Sequence, residues 1–178
     1  MDAPTWWHYT LGTVLFDIIA TGSVERPRTG MTPTDRRAVW FSCRPTWEPS
    51  ATRASISGGG RRLATIPEMV DRGGGLVRIR VSDEIARHPW AAHRKLSGLD
   101  ARTADALELA ARSRGANPDD WRASYHDVPL REILSVDVSL DGETWTPAGG
   151  TYIGEDGGGL DLDADLIHRI RTALGVEP

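Results

Sequence analysis

Two segments alternate between apolar and polar residues, and that alternation restricts the fold more than any other feature of the chain. In Leu76–Val81, Val77, Ile79 and Val81 point one way and Arg78 and Arg80 the other. In 134–140, Leu134, Val136, Val138 and Leu140 share one face, and Ser135, Asp137 and Ser139 share the opposite one. A period of two is the signature of a strand buried on one side. Asp141-Gly142 follows at once and predicts a hairpin turn into a partner strand over 143–147. Aromatic and β-branched residues predict two further strands, over 6–10 and 38–43.

Helical patterns separate these strands. Val14, Leu15, Ile18 and Ile19 fall on one face of a helix over 11–21, and Gly22 ends it. Pro67 suits the first turn of a short helix over 66–72. Asp100 caps a helix over 100–114, with Gly115 after its end, and Asp163 caps a last helix over 164–174. The stretches 25–37 and 44–62 read as loops because of their prolines and the Gly58-Gly59-Gly60 run. The expectation is an α+β fold: a twisted mixed or antiparallel sheet with flanking helices, all 178 residues forming a single domain.

Composition narrows the functional classes. No apolar run reaches the ~18 residues of a membrane span, and the N-terminus lacks the charged start and apolar core of a signal peptide. Cys43 is the single cysteine, which excludes an internal disulfide. A cytoplasmic location is the expectation. Residues 51–100 carry nine basic and five acidic side chains, whereas 101–178 carry seven basic and fifteen acidic ones. A basic middle suits an anionic ligand, and the acidic C-terminal part argues against a nucleic-acid footprint along the whole chain. His88 and His93 straddle Pro89 at a spacing that suits no standard metal motif. There is no P-loop and no G-x-S-x-G elbow.

Three clusters remain as candidate sites. His8-Tyr9-Thr10 places a histidine and hydroxyls where a strand meets a helix, a pattern that binds a ribose or amide and equally one that merely starts the helix. Trp40, Phe41 and Ser42, followed by Trp47 and Glu48, combine aromatic surface with a hydroxyl and a carboxylate. Trp40 and Phe41 also fit a core strand, but Trp47 and Glu48 lie in a proline-bounded loop where a core role explains less. Arg78 and Arg80 read either as a pyrophosphate clamp or as a solvated strand face.

Taken in order, "HYT" at 8–10, "LFDIIATGSV" at 15–24 and "AVWFS" at 38–42 resemble the N-terminal half of the ADP-ribosyltransferase superfamily, which includes NAD-dependent toxins and the tRNA 2′-phosphotransferases. The resemblance covers about the first 50 residues, with a looser match at "REILSVDV" over 131–138. It implies an ADP-ribosyltransferase-like fold and an enzyme of bacterial or phage origin. Such an enzyme moves ADP-ribose from NAD to a protein or nucleic acid, or hydrolyses NAD. By resemblance, His8 holds the nicotinamide ribose, Thr10 positions the amide or ribose, and Trp40, Phe41 and Trp47 wall the nicotinamide slot. The late glutamate of that family falls on Glu132, with Glu48 and Glu143 as rivals. The alternative is a non-enzymatic protein of similar fold that binds a nucleotide-like ligand or a partner.

Overall fold

The computed structural model describes residues 4–28, 35–57, 60–152 and 159–175. Strand β1 (Trp6–Leu11) runs into helix α1 (Gly12–Thr21), the short strand β2 (Ser23–Val24) and β3 (Val39–Ser42). The antiparallel pair β4 (Ala54–Ser57) and β5 (Gly60–Leu63) precedes α2 (Ile66–Gly73) and β6 (Leu76–Val81). Next come β7 (His88–Pro89), α3 (Trp90–Leu96), α4 (Ala101–Arg112), β8 (Trp121–Ser124) and β9 (Val128–Pro129). The chain ends with β10 (Ile133–Ser139), β11 (Thr146–Tyr152), β12 (Gly159–Leu162) and α5 (Ala164–Ala173).

Eight strands form one sheet in the order β12-β11-β10-β6-β1-β3-β8-β7, and every ladder in it is antiparallel. The fold is therefore α+β. Four of the five strands expected from the sequence lie in this sheet close to their expected positions, and the hairpin partner expected over 143–147 begins only at Thr146, as β11; β6 lies between β10 and β1 at the centre of the sheet. Val77, Ile79 and Val81 face one side, level with Val136 and Val138 of β10, and pack against Leu15 and Ile18 of α1 and Leu166 and Ile170 of α5. Burial of these side chains, each worth roughly 1.5–3 kcal/mol, makes this face the principal core. A second, smaller core lies elsewhere in the fold, where Trp90, Leu99 and Ala104 pack with Trp40, Leu107 and Trp121.

Local chemistry sets the helix ends as expected. Gly22 takes φ 78° after α1, and Asp100 and Asp163 accept backbone N–H groups at the starts of α4 and α5. Thr65 and Glu68 form a capping box at α2, with Pro67 in its first turn. In the turn after β10, Asp141 accepts the N–H groups of Glu143 and Thr144, and Gly142 adopts φ 83°. A Cβ at Gly142 would meet Ile66 at 2.4 Å, so both backbone and space demand glycine there.

Several expectations need correcting. The β10–β6 register shifts between Ile133 and Ser135, so Ile133 takes the buried position and Leu134 is 49% exposed. A bulge of this kind reverses the side-chain alternation that the sequence suggests. Asp137 and Ser139, expected on a polar face, are both buried. The expected loop 44–62 contains β4 and part of β5, although Gly58 and Gly59 lie outside the described residues, as do 29–34 of the expected loop 25–37. Strands β7, β8 and β12 and helix α3 were not expected at all.

Candidate functional site

The sheet opens where β1 meets β3. Strand β1 pairs with β6 through all six of its residues, from Trp6↔Val81 to Leu11↔Leu76. With β3 it pairs only at Trp7↔Ser42. Beyond that pair the two strands no longer share a ladder, and the edges of β1 and β3 face an opening. A cavity of about 490 Å³ occupies this region. His8, Tyr9 and Thr10 line it from β1, and Trp40, Phe41 and Ser42 from β3. These residues alternate in side-chain direction along their strands. Their shared access to one cavity therefore follows from the opening between the strands rather than from a single sheet face.

His8 bridges the opening. Its Nδ1 lies 3.0 Å from the Trp40 carbonyl oxygen. A carbonyl oxygen only accepts, so Nδ1 carries the proton and donates. Burial lowers the His8 pKa below its ordinary value; the Trp40 bond pulls the other way, and the charge of Arg53 adds to the lowering. The ring is thus neutral at pH 7 and its Nε2 is a hydrogen-bond acceptor.

Tyr9 and Trp47 form an aromatic wall, with ring centroids 5.5 Å apart and planes at 74°. The Tyr9 hydroxyl donates to the Arg44 carbonyl, and burial raises its pKa. Trp47 Nε1 donates to Thr52 Oγ1 at 3.1 Å. Glu48 is buried, with one oxygen accepting the Ser42 hydroxyl at 2.7 Å. Its other oxygen accepts the Ser50 N–H at 3.1 Å and the Ser50 hydroxyl at 2.8 Å. Glu48 therefore caps the 3-10 turn Pro49–Ala51 and lines the cavity as well.

The sequence-predicted residues divide into two groups. His8, Tyr9, Thr10, Trp40, Phe41, Ser42, Trp47 and Glu48 come together around the cavity. Arg78, Arg80 and Glu132 do not line it. Arg78 is engaged elsewhere: Nε and Nη2 donate to Asp137 Oδ2 at 2.7 Å, and Nη1 donates to the Pro45 carbonyl. Its guanidinium also lies 4.2 Å from the Trp7 ring centroid and 4.7 Å from that of Trp145. Arg80 is exposed on the strand. Glu132 ends the 3-10 turn Leu130–Glu132, its side chain 43% exposed and 3.9 Å from Arg131. Neither the expected clamp nor the expected late glutamate is at the opening.

Other residues take the places that sequence reasoning assigned elsewhere. Arg36, Arg37, Arg53 and Arg114 line the cavity, against the carboxylates Asp35 and Glu48. None of these four arginines forms a salt bridge among the described residues. Trp90, Trp121 and residues of α4 also line it. The surplus of basic residues in the middle of the chain hinted only at Arg53. Arg36 and Arg37 sit in a segment without periodicity, and Arg114 looked like a helix end. No protein-family model, curated protein or solved structure matches the chain.

Proposed function

We propose that this opening binds NAD and that the chain is an ADP-ribosyltransferase-like enzyme, transferring ADP-ribose to a macromolecular acceptor or to water. The observation that carries this reading is the neutral His8 held across the gap between β1 and β3. Its Nε2 accepts a ribose hydroxyl. The unladdered strand edges offer N–H and C=O groups in a pattern that complements a carboxamide. Tyr9, Phe41 and Trp47 supply flat apolar walls for a pyridine ring. The cavity arginines Arg36, Arg37, Arg53 and Arg114 offset the charge of a pyrophosphate.

In the reaction the bond between ribose C1′ and the nicotinamide nitrogen breaks, and the electron pair leaves with nicotinamide. The acceptor oxygen or nitrogen, or water, then bonds to C1′ and loses its proton. Positive charge builds on the ribose meanwhile, and a fixed carboxylate lowers that barrier. Glu48 is the glutamate at the cavity, so this role passes to it from Glu132.

A second reading rests on the same residue. Both oxygens of Glu48 already accept hydrogen bonds from Ser42 and Ser50. A carboxylate committed to its own loop suits a protein that binds the nucleotide without turning it over. Calorimetry with NAD, together with a nicotinamide-release assay, separates the two. In the enzyme, Glu48→Gln abolishes nicotinamide release and leaves NAD affinity within about threefold, because the lost charge acts on the transition state. His8→Ala weakens NAD binding about tenfold or more. A binder shows the His8 effect with no nicotinamide release. Absence of NAD binding at millimolar concentration overturns both readings.

A further inference from the structure

We propose that the wall built by Trp40, Trp121 and α4 is a second flat-ring subsite, which takes a purine-type base bearing a phosphate. The proposal rests on the cavity being a nucleotide site, but it concerns residues other than the His8 end.

Three tryptophans meet in this region. Trp90 lies 5.8 Å from Trp40 and 5.5 Å from Trp121, and Trp40 and Trp121 are 6.5 Å apart. All three line the cavity; Trp90 is buried, whereas Trp40 and Trp121 are only half-buried. The Trp121 indole N–H is buried without a hydrogen-bond partner among the described residues, so ring packing holds this side chain. Rings fixed by packing at tilted and edge-on angles give a rigid apolar surface.

Helix α4 contributes small side chains. Leu107, Ala110 and Ala111 line the cavity, and Arg114 follows just past the C-terminal end of the helix. Alanines beside half-buried tryptophans leave room for a flat ring. Arg114 and Arg36 form no salt bridge among the described residues, and Arg36 is itself stacked 4.0 Å from the Tyr125 ring centroid. Aromatic platforms beside free guanidinium groups bind a base and its phosphate together. Trp40 joins the two parts of the site, since its carbonyl accepts from His8 while its ring belongs to the tryptophan cluster.

The test uses ADP and nicotinamide mononucleotide as separate probes, measured by calorimetry on the full chain. Ala110 is half-buried, so Ala110→Phe fills the subsite at little cost to folding. The expected result is ADP binding to the wild-type protein, weakened tenfold or more by Ala110→Phe and several-fold by Arg114→Gln. Nicotinamide mononucleotide affinity changes less than twofold in Ala110→Phe. Competition separates two sources of the base. ADP that displaces NAD marks the subsite as the place of the second base of one dinucleotide. ADP that binds alongside NAD marks it as the place of a separate nucleotide acceptor. Wild-type protein that binds nicotinamide mononucleotide but not ADP overturns this proposal and leaves the NAD reading standing. ADP affinity untouched by Ala110→Phe, or lost in His8→Ala instead, overturns it too. Failure of every nucleotide to bind overturns both.

Discussion

Burial lowers the pKa of three histidines, His8, His88 and His93, and of these only His8 lines the cavity. His8 spends its proton on the Trp40 carbonyl and turns an acceptor to the ligand. His93 is fully buried against Trp40, with its Nδ1 3.1 Å from the Tyr125 hydroxyl and its Nε2 without a hydrogen-bond partner among the described residues. Burial lowers the His93 pKa to about 4, despite the opposing charge of Asp35. The unfolded chain regains a value near 6.5. Between those two values the unfolded state binds the extra proton, so His93 favours folding fully above pH 6.5 and progressively less as pH falls toward 4. Its contribution to the slope is at most ~1.4 kcal/mol per pH unit. Urea denaturation at intervals from pH 7 to 4.5 therefore shows a shallower loss of stability for His93→Gln than for the wild type. Equal slopes for the two proteins would refute this role. The sequence pointed to His8 because a histidine with hydroxyls at a strand–helix junction suits a ribose or amide, although the same pattern equally starts a helix. It put Glu132 ahead of Glu48 and Glu143, since both Glu132 and Glu48 lie beside short turns and only the tertiary fold brings Glu48 to the cavity.

At the scale of elements, Arg78 ties four other parts of the chain to β6. It reaches from β6 to Asp137 on β10, to the Pro45 carbonyl in the segment after β3, and lies between Trp7 of β1 and Trp145 before β11. The neighbouring carbonyl, that of Arg44, accepts from Tyr9. Together these bonds fix the segment that carries Trp47 and Glu48 to the cavity. Arg78 is 15% and Asp137 11% exposed in their side chains, so loss of one partner strands a buried charge. Arg78→Met should cost about 3 kcal/mol in denaturant unfolding. Adding Asp137→Asn should recover a good part of that loss, whereas additive losses in the double variant would refute the ion pair as the cause. Alternation correctly assigned Arg78 to the face opposite Val77, but it carries no information about what covers that face. Asp137 and Trp145, which consume the guanidinium, lie 59 and 67 residues away in the sequence. The bulge at Leu134 was invisible for a similar reason. Ile133 and Leu134 are both apolar, and only pairing with β6 decides which one is buried. Strand β8 is four residues long, so the alternation of Trp121 and Ala123 with Arg122 and Ser124 is too short to mark a strand without its neighbours β3 and β7.

On the scale of the whole molecule, the net charge and the cavity charge have opposite signs. The chain carries −4 at pH 7, concentrated beyond residue 100. The cavity is lined by four arginines and two carboxylates, Asp35 and Glu48. An anionic ligand is thus repelled by the protein as a whole and attracted by its site. Which effect wins depends on distance, because salt screens interactions beyond roughly 8 Å at physiological ionic strength. Contacts within the cavity fall inside that range. The arginines should therefore dominate. Raising the salt from 50 to 500 mM should weaken ADP binding several-fold, and a neutral ligand such as adenosine should show almost no change. Replacing Arg53 by Gln, which removes an exposed guanidinium with no salt bridge among the described residues, should flatten the salt dependence without unfolding the protein. The opposite sign, with ADP binding strengthened by salt, would mean that the global negative charge controls access and that the arginines at the cavity do not contact the phosphates.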